Sequence, residues 1–318
     1  MRYDTEYQMT QALKLPHRLL ATLTLVTLLS TALSACGAPP AGTSSGKTLQ
    51  VVAGQNFWGS IAAQLGGTHV FVLSVVTNPN ADPHDYENST QDARAFAAAD
   101  YVILNGAGYD AWGARLLSAN PNANRKVFSV ADLLNKKAGD NPHFWYNPDW
   151  VEQVADQITA DYRALDAAAS DYFTQQRAAF RTSMKPYHDR IAKIKSTFSG
   201  VPIGSTESIF VYLAQALGLN LISPPEFMQA VAEGNDPPAQ TVAEFHDQVL
   251  GKKIKVLVFN VQTSTNITED LKRLAANKGI PVVGVSETLH PLDATFQEWQ
   301  GAQLLTLQNA LNAQALTH

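Results

Sequence analysis

Residues 49–76 read LQVVAGQNFWGSIAAQLGGTHVFVLSVV. A helical pattern from Phe57 to Leu65 is enclosed by two runs rich in β-branched residues, Leu49 to Ala53 and Val70 to Val76. A strand, a helix and a second strand in this order form a unit that is typical of a parallel sheet. The stretch therefore predicts an α/β fold.

The same alternation continues through the first half of the chain. We predict, in order, a helix at Asp92 to Ala99, a strand at Tyr101 to Leu104, a turn at Asn105-Gly106-Ala107-Gly108, a helix at Trp112 to Leu117 and a strand at Val127 to Val130. From Pro148 the apolar residues recur at helical spacing, and the pattern resumes after a short break, which predicts one long helix. We expect Pro186 to kink that helix, because proline lacks an amide donor. Residues 49–165 are assigned to an N-terminal α/β lobe and residues 166–198 to a long linking helix.

The α/β pattern returns after Gly200. The predicted strands are Val201 to Gly204, Lys255 to Phe259 and Val282 to Val285, and the predicted helices are Ile209 to Leu217, Ile267 to Ala276 and Phe296 to Leu311. We assign residues 199–318 to a C-terminal α/β lobe. The predicted fold class is thus α/β, with two lobes built on parallel sheets, and the chain length agrees with two domains.

The N-terminus predicts export. Three basic residues precede an uncharged run from Leu19 to Leu33, which is about fifteen residues and shorter than the roughly twenty that cross a bilayer as a helix. This layout is typical of a signal peptide, and Leu33-Ser34-Ala35-Cys36 resembles the lipobox of bacterial lipoproteins. We expect residues 1–35 to be removed, Cys36 to carry lipid and residues 36–48 to form a flexible tether. An ordinary signal peptide that ends near a cysteine is the alternative.

Charge and cysteine content exclude other classes of protein. The formal net charge is −5, and removal of residues 1–35, with three basic and two acidic side chains, leaves −6. This balance argues against nucleic acid as a partner. Because Cys36 is the only cysteine, the chain forms no internal disulfide. We expect a monomer.

Three loops carry potential metal ligands. His84 lies in Asp82-Pro83-His84-Asp85-Tyr86-Glu87, His143 in Asn141-Pro142-His143-Phe144-Trp145, and Glu207 in Gly204-Ser205-Thr206-Glu207. In parallel α/β sheets the loops beyond the carboxyl ends of the strands line the ligand crevice, and proline beside each histidine restrains the backbone. Two imidazoles and one carboxylate suit Zn²⁺ or Mn²⁺ and do not suit copper(I), which prefers sulfur.

The chain resembles a known family, the extracytoplasmic solute-binding lipoproteins of zinc and manganese ABC transporters, called cluster A-I. The resemblance spans nearly the whole chain after the signal peptide. Its carriers are the lipobox at Cys36, the two proline-histidine motifs around His84 and His143, the Asn105-Gly106-Ala107-Gly108 turn and the central long helix.

The resemblance implies a fold and a function. It implies two α/β lobes joined by one rigid helix, with a metal site in the cleft between the lobes and two ligands from each lobe. His84 and His143 are then the first-lobe ligands and Glu207 is one from the second. It also implies an exported protein, lipid-anchored to the outer face of the cell membrane, which delivers its ion to a membrane permease and is not an enzyme.

The fourth ligand and the identity of the ion stay open. The family often has a carboxylate in the loop after the strand at Lys255 to Phe259, and this chain has no acid between Asn260 and Thr265. Gln262, Glu287, a hydroxyl group and water are the alternatives. Many zinc-specific members of the family carry a histidine at the position of Glu207 and a histidine-rich acidic loop, which the stretch from Asn135 to Asn141 is not, so the resemblance favours manganese. The intrinsic affinity of such ligands favours zinc.

Two other functions are compatible with the same residues. A secreted metal-dependent hydrolase also uses two histidines, a carboxylate and an open position, although the sequence lacks His-Glu-x-x-His. A surface adhesin with a purely structural metal is the other alternative. Turnover of a substrate, or tight partner binding without metal, would distinguish these from a metal-capture protein.

Overall fold

The computed structural model describes residues 48–80, 83 and 86–316. Within these residues the chain alternates strands and helices. The strands are β1 (Leu49–Gln55), β2 (Val70–Val76), β3 (Tyr101–Leu104), β4 (Lys126–Ser129), β5 (Pro202–Ser205), β6 (Asn220–Leu221), β7 (Leu257–Asn260) and β8 (Val282–Val285). The α-helices are α1 (Asn56–Gly66), α2 (Thr90–Ala98), α3 (Ala111–Ala119), α4 (Val130–Leu133), α5 (Pro148–Leu165), α6 (Ser170–Phe198), α7 (Val211–Ala216), α8 (Pro225–Ala232), α9 (Ala239–Leu250), α10 (Asn266–Asn277) and α11 (Phe296–Ala315).

The strands form two four-stranded parallel sheets. Their orders are β2-β1-β3-β4 and β6-β5-β7-β8, so the second sheet repeats the arrangement of the first. Each order reverses direction at one point, between β1 and β3 and between β5 and β7. Ligand crevices of such sheets lie at this point, beyond the carboxyl ends of the strands. The predicted α/β fold with two parallel sheets is confirmed.

The predicted long helix is confirmed as α6, which has 29 residues and contains Pro186. It begins at Ser170 rather than at residue 166. The backbone leaves the helical conformation at Asp166, where α5 ends and a short 3₁₀ turn begins. The Asp166 side chain accepts a hydrogen bond from the Ala169 amide at 3.3 Å, which stabilises the break. The limits assigned to the two lobes and the linker stay a prediction.

The two sheets share one apolar core. It contains buried side chains from β1 and β3, from β5, β7 and β8, and from the helices α1, α5, α6 and α11. Near its centre the ring of Phe57 stacks on that of Trp145 at 4.0 Å, and Trp299 of α11 lies parallel to Phe57 at 6.4 Å. A wide separation of the sheets would expose this apolar surface to water, which is unfavourable. The core therefore limits motion between the lobes.

A charged cluster ties α5 to α6. Glu152 accepts hydrogen bonds from Arg177 Nη2 at 2.6 Å and from His188 Nε2 at 3.1 Å, and Arg177 Nε donates to Asp156 Oδ1 at 2.7 Å. Burial opposes ionisation of Glu152, but the hydrogen bonds and charges of His188 and Arg177 prevail and lower its pKa from the ordinary value of 4.5. The cluster contributes to stability at neutral pH.

Glu152→Gln tests that contribution. We expect it to lower the free energy of unfolding by about 1 kcal/mol at neutral pH, because Glu152 is partly exposed. The pKa of Glu152 is lower in the folded than in the unfolded chain, so its contribution is present above 4.5 and is lost as the pH falls through the lower folded value. Urea denaturation at a series of pH values should show that the difference in unfolding free energy between variant and wild type shrinks as the pH falls below 4.5. Asp189→Asn, which removes an exposed pair with Lys185, is the control, and a difference that persisted at low pH would contradict the assignment.

In the part of the chain that the structure covers, no helix combines the length and the apolar character that crossing a bilayer requires.

Candidate metal site

Three buried side chains converge at one point. His143, Glu207 and Glu287 each bring one nitrogen or oxygen atom to within 4.8 Å of those of the other two. His143 Nε2 lies 3.2 Å from Glu207 Oε1 and 3.8 Å from Glu287 Oε2. All three side chains are fully buried, so the cluster is shielded from water.

The strand order explains why two of these residues meet. Glu207 follows β5 and Glu287 follows β8, and both strands are parallel members of the second sheet. Parallel strands end at the same edge of a sheet, so their following residues share one crevice. His143 comes from the first half of the chain, in the loop before α5. The cluster thus draws on both lobes.

Asn141 fixes the orientation and the tautomer of His143. Its Oδ1 accepts hydrogen bonds from the His143 amide at 3.1 Å and from His143 Nδ1 at 2.7 Å, while its Nδ2 donates to the Ser208 carbonyl at 2.7 Å. Because Oδ1 only accepts, Nδ1 carries the proton, and in the neutral ring Nε2 is the nitrogen with the lone pair. This is the arrangement of histidines that bind a metal through Nε2.

A strained turn supports the loop that carries His143. Gly106, Ala107 and Gly108 all have positive φ, from 53° to 90°, which is costly for the alanine. Asn105 Nδ2 donates to the Pro142 carbonyl at 3.0 Å. The turn therefore connects β3 directly to the residue before His143.

The Asp110 side chain stabilises this turn through hydrogen bonds. Its carboxylate accepts hydrogen bonds from the Asn105 amide at 2.6 Å, the Gly106 amide at 2.8 Å and Gln55 Nε2 at 3.0 Å. Burial raises the pKa of Asp110, and the hydrogen bonds from Gln55 and the two amides act against that rise. The two amides lie four and five residues before Asp110, so this part of the role is local, whereas the contact with Gln55 requires the fold.

Neutral donors surround the two carboxylates. Asn260 Nδ2 donates to Glu207 Oε2 and, at 2.8 Å, to Glu287 Oε1. Thr263 Oγ1 donates to Glu207 Oε2 at 2.9 Å, and Tyr109 Oη donates to Glu287 Oε2 at 2.6 Å. Each carboxylate is thus held in place by groups that do not neutralise its charge.

The donor set suits a divalent ion. Two carboxylates buried together repel each other and lose hydration, and a cation between them offsets both costs. One imidazole nitrogen with two carboxylate oxygens is a set that Zn²⁺ and Mn²⁺ accept. The geometry therefore fits a metal ion at the point where the three atoms meet.

The comparisons with known proteins identify the family. The family model described as ZnuA, the periplasmic zinc-uptake complex component A, matches residues 51–310. The chain belongs to this family. The resemblance to cluster A-I proteins that the sequence motifs carry is confirmed.

The alignments with curated relatives cover most of the chain. The manganese ABC transporter substrate-binding lipoprotein PsaA of Streptococcus pneumoniae serotype 4 is 27% identical over 222 residues, which is 63% of this chain and 69% of that protein. The manganese-binding lipoprotein MntA of Bacillus subtilis is 25% identical over 266 residues, 78% of this chain and 82% of that protein.

Solved structures of similar proteins share the fold. A crystal structure of ZnuA superposes with a TM-score of 0.67 at 24% identity, covering 83% of this chain and 99% of that chain. The periplasmic zinc-binding protein TroA from Treponema pallidum gives a TM-score of 0.71 at 14% identity, with coverage of 83% and 99%. At these identities the likeness concerns the fold alone.

The structure brings together some of the predicted site residues. His143 and Glu207 lie within one cluster, and Glu287, one of the alternatives for the fourth position, lies with them. Gln262, another of the alternatives, is not part of the cluster. Its side-chain oxygen accepts hydrogen bonds from the Glu287 and Thr288 amides at 2.8 and 2.9 Å. His84 and Cys36 fall outside the described residues. That any of these residues binds metal or lipid stays a prediction.

A cavity of about 480 Å³ adjoins the cluster. Its lining includes Tyr109, Asn141 and Ser208, together with Met228 and Gln229 of α8. Tyr109 contacts Glu287 and Asn141 contacts His143. The cavity therefore ends one side chain away from the buried cluster.

Proposed function

We propose that this chain is an extracytoplasmic solute-binding protein that captures one divalent transition metal ion, Zn²⁺ or Mn²⁺, and delivers it to an ABC transporter permease. The observation that carries the proposal is the buried convergence of His143, Glu207 and Glu287 from both lobes. Membership in the zinc-uptake component A family supports it, as do the relatives named as manganese ABC transporter substrate-binding lipoproteins. The ion is cargo, so we propose no chemical turnover.

The proposed ligands are His84, His143, Glu207 and Glu287. His84 follows β2, which ends at the same edge of the first sheet as β3, and its proline-histidine motif matches the family pattern. Two nitrogens and two oxygens give the four ligands that a closed zinc site contains. We propose the cavity beside Tyr109 as the route by which the ion reaches them.

The remaining assignments concern the anchor and the arrangement of the chain. We propose that residues 1–35 direct export, that Cys36 carries the lipid and that residues 36–48 tether a monomeric domain to the outer face of the membrane. The domain limits proposed are 49–165 for the first lobe, 166–198 for the linking helix and 199–318 for the second lobe. Support comes from the lipobox pattern and from relatives named as lipoproteins.

Calorimetric titration tests the proposed function. The protein from residue 37 onward, stripped of metal with a chelator, is titrated with Zn²⁺ and separately with Mn²⁺. We expect one tight site per chain for at least one of the two ions. Weak binding of both ions, or several equivalent sites, would contradict the proposal.

The affinity should fall with decreasing pH. Imidazole binds metal only in its neutral form, and its ordinary pKa is about 6.5. Protons therefore compete with the ion, and the affinity should decline progressively as the pH drops from about 7.5 to about 5.5. Repeating the titration across this range is the measurement. A constant affinity would argue against histidine ligands.

A further inference from the structure

The side chain of Asn260 lies between the two carboxylates of the candidate site. Asn260 is the last residue of β7 and is fully buried. Its Nδ2 donates one hydrogen bond to Glu207 Oε2 and one to Glu287 Oε1, which uses both protons of the amide. Its Oδ1 accepts from the Gln262 amide at 3.0 Å. Because the backbone holds the acceptor end, the donor end is fixed toward the carboxylates.

The hydrogen bonds distinguish the two oxygens of Glu207 but not those of Glu287. Glu207 Oε2 and Glu287 Oε1 face Asn260, and Glu207 Oε2 also accepts from Thr263 Oγ1 at 2.9 Å. The other two oxygens, Glu207 Oε1 and Glu287 Oε2, lie nearest to His143 Nε2, at 3.2 and 3.8 Å. Glu207 Oε2 thus accepts two outer hydrogen bonds while Oε1 faces the centre of the cluster. Glu287 instead accepts one on each oxygen, from Asn260 Nδ2 on Oε1 and from Tyr109 Oη on Oε2 at 2.6 Å.

The hydrogen bonds on the carboxylates determine how many of their oxygens can bind an ion. Because Asn260 and Thr263 use both lone pairs of Glu207 Oε2, Glu207 binds a metal through Oε1 only, and the two carboxylates supply at most three oxygens rather than four. Zn²⁺ prefers four ligands in a tetrahedron, whereas Mn²⁺ favours oxygen-rich octahedral sites. A restraint on the carboxylates thus penalises manganese more than zinc.

We propose that Asn260 is a positioning residue that, together with Thr263, restricts Glu207 to one oxygen and thereby biases the site toward Zn²⁺ over Mn²⁺. The inference rests on the proposed function, because it assumes that the cluster binds a transition metal ion. It goes further by assigning the preference between the two ions to Asn260, a residue that does not itself contact the ion.

The test compares the ratio of zinc affinity to manganese affinity among variants of the full chain purified in detergent. Asn260→Leu removes both amide donors, and Asn260→Asp replaces them with further oxygens. We expect each to lower the ratio by about tenfold or more, the range in which partners of metal ligands act, and Asp more than Leu. Thr263→Val, which removes only the hydroxyl donor to Glu207, should lower the ratio less. Asn266→Asp adds a charge at an exposed position in the first turn of α10 and should leave the ratio unchanged.

X-ray absorption of the zinc-loaded proteins supplies a second readout. We expect four nitrogen and oxygen neighbours in wild type, as in closed zinc sites, and additional oxygen neighbours in the Asn260 variants. Thermal unfolding of the metal-free proteins identifies the variants that fold, and if neither Asn260 variant folds, Thr263→Val carries the test. An affinity ratio and a neighbour count that match wild type in the folded variants would overturn the role of Asn260. A wild-type chain that binds neither ion would instead overturn the proposed function on which the inference rests.

Discussion

The affinity for Zn²⁺ and Mn²⁺ should fall by more than about a hundredfold, or about 2.7 kcal/mol, when His143 is replaced by alanine. His143 contributes the nitrogen of the cluster, and its ring is already held by Asn141 with the lone pair on Nε2. Its removal leaves two carboxylates close together with one ligand fewer to hold the cation that offsets their repulsion. Competition titration against a chromophoric chelator measures the loss.

His246→Ala is the matched control for that prediction. His246 lies exposed on α9, away from the cluster, so its removal should leave the affinity for both ions unchanged. Equal effects of the two substitutions would mean that histidine content alone, rather than the site, governs binding. An affinity in His143→Ala within a factor of about three of wild type, far below the loss expected even for an outer partner, would remove His143 from the ligand set.

Glu287→Gln should produce opposite effects on binding and on stability. The substitution keeps the size of the side chain but removes one of two buried negative charges. We expect the affinity for the ion to fall by about a hundredfold, because a carboxylate ligand is replaced by a weaker amide oxygen. We expect the unfolding temperature of the metal-free protein to rise, because the repulsion between Glu207 and Glu287 is relieved.

Thermal unfolding with and without metal separates these two effects. In wild type the ion should raise the unfolding temperature, since it binds only the folded state, and in Glu287→Gln this increase should be almost lost. Glu244→Gln, on the exposed face of α9, is the control and should behave as wild type. A variant that binds metal normally would contradict a ligand role for Glu287. A lower unfolding temperature without metal would contradict the repulsion between the two carboxylates.

The sequence predicted every strand of the two sheets except the two-residue β6, but it did not single out the fourth member of the site. β8 was predicted with its observed limits, and Glu287 follows it by only two residues. The expectation nevertheless centred on the loop after β7, where no acid is found. Which loops meet in the crevice depends on the strand order β6-β5-β7-β8, and that order arises from contacts between distant segments. Local pattern therefore left Glu287 as one alternative among several.

Two helices of the second lobe were missed although their signals are present. No element was predicted between Leu217 and Lys255, yet α8 and α9 occupy much of this stretch. Phe227 and Val231 of α8, and Phe245 and Val249 of α9, are buried at a spacing of four residues, as expected for one face of a helix. Prolines stand at or just before the start of both helices, where proline is favoured. Here the sequence contained the information.

The roles of Asn260 and Tyr109 could not be read from the sequence. Both are single residues whose importance comes from partners far along the chain: Glu207 and Glu287 for Asn260, and Glu287 for Tyr109. Asn141 differs, because it lies two residues before His143 and its side chain bonds back to that residue. A short-range contact of this kind is open to inference from sequence, whereas a contact between distant segments requires the fold.

Anomalous diffraction from crystals grown with zinc locates the bound ion and its ligands. We predict a single strong peak in the cleft, at about 2.0–2.1 Å from His143 Nε2 and about 2.0–2.2 Å from one oxygen each of Glu207 and Glu287, with His84 completing the set. A peak bound to other residues, or zinc scattered over the surface with none beside His143, would contradict it.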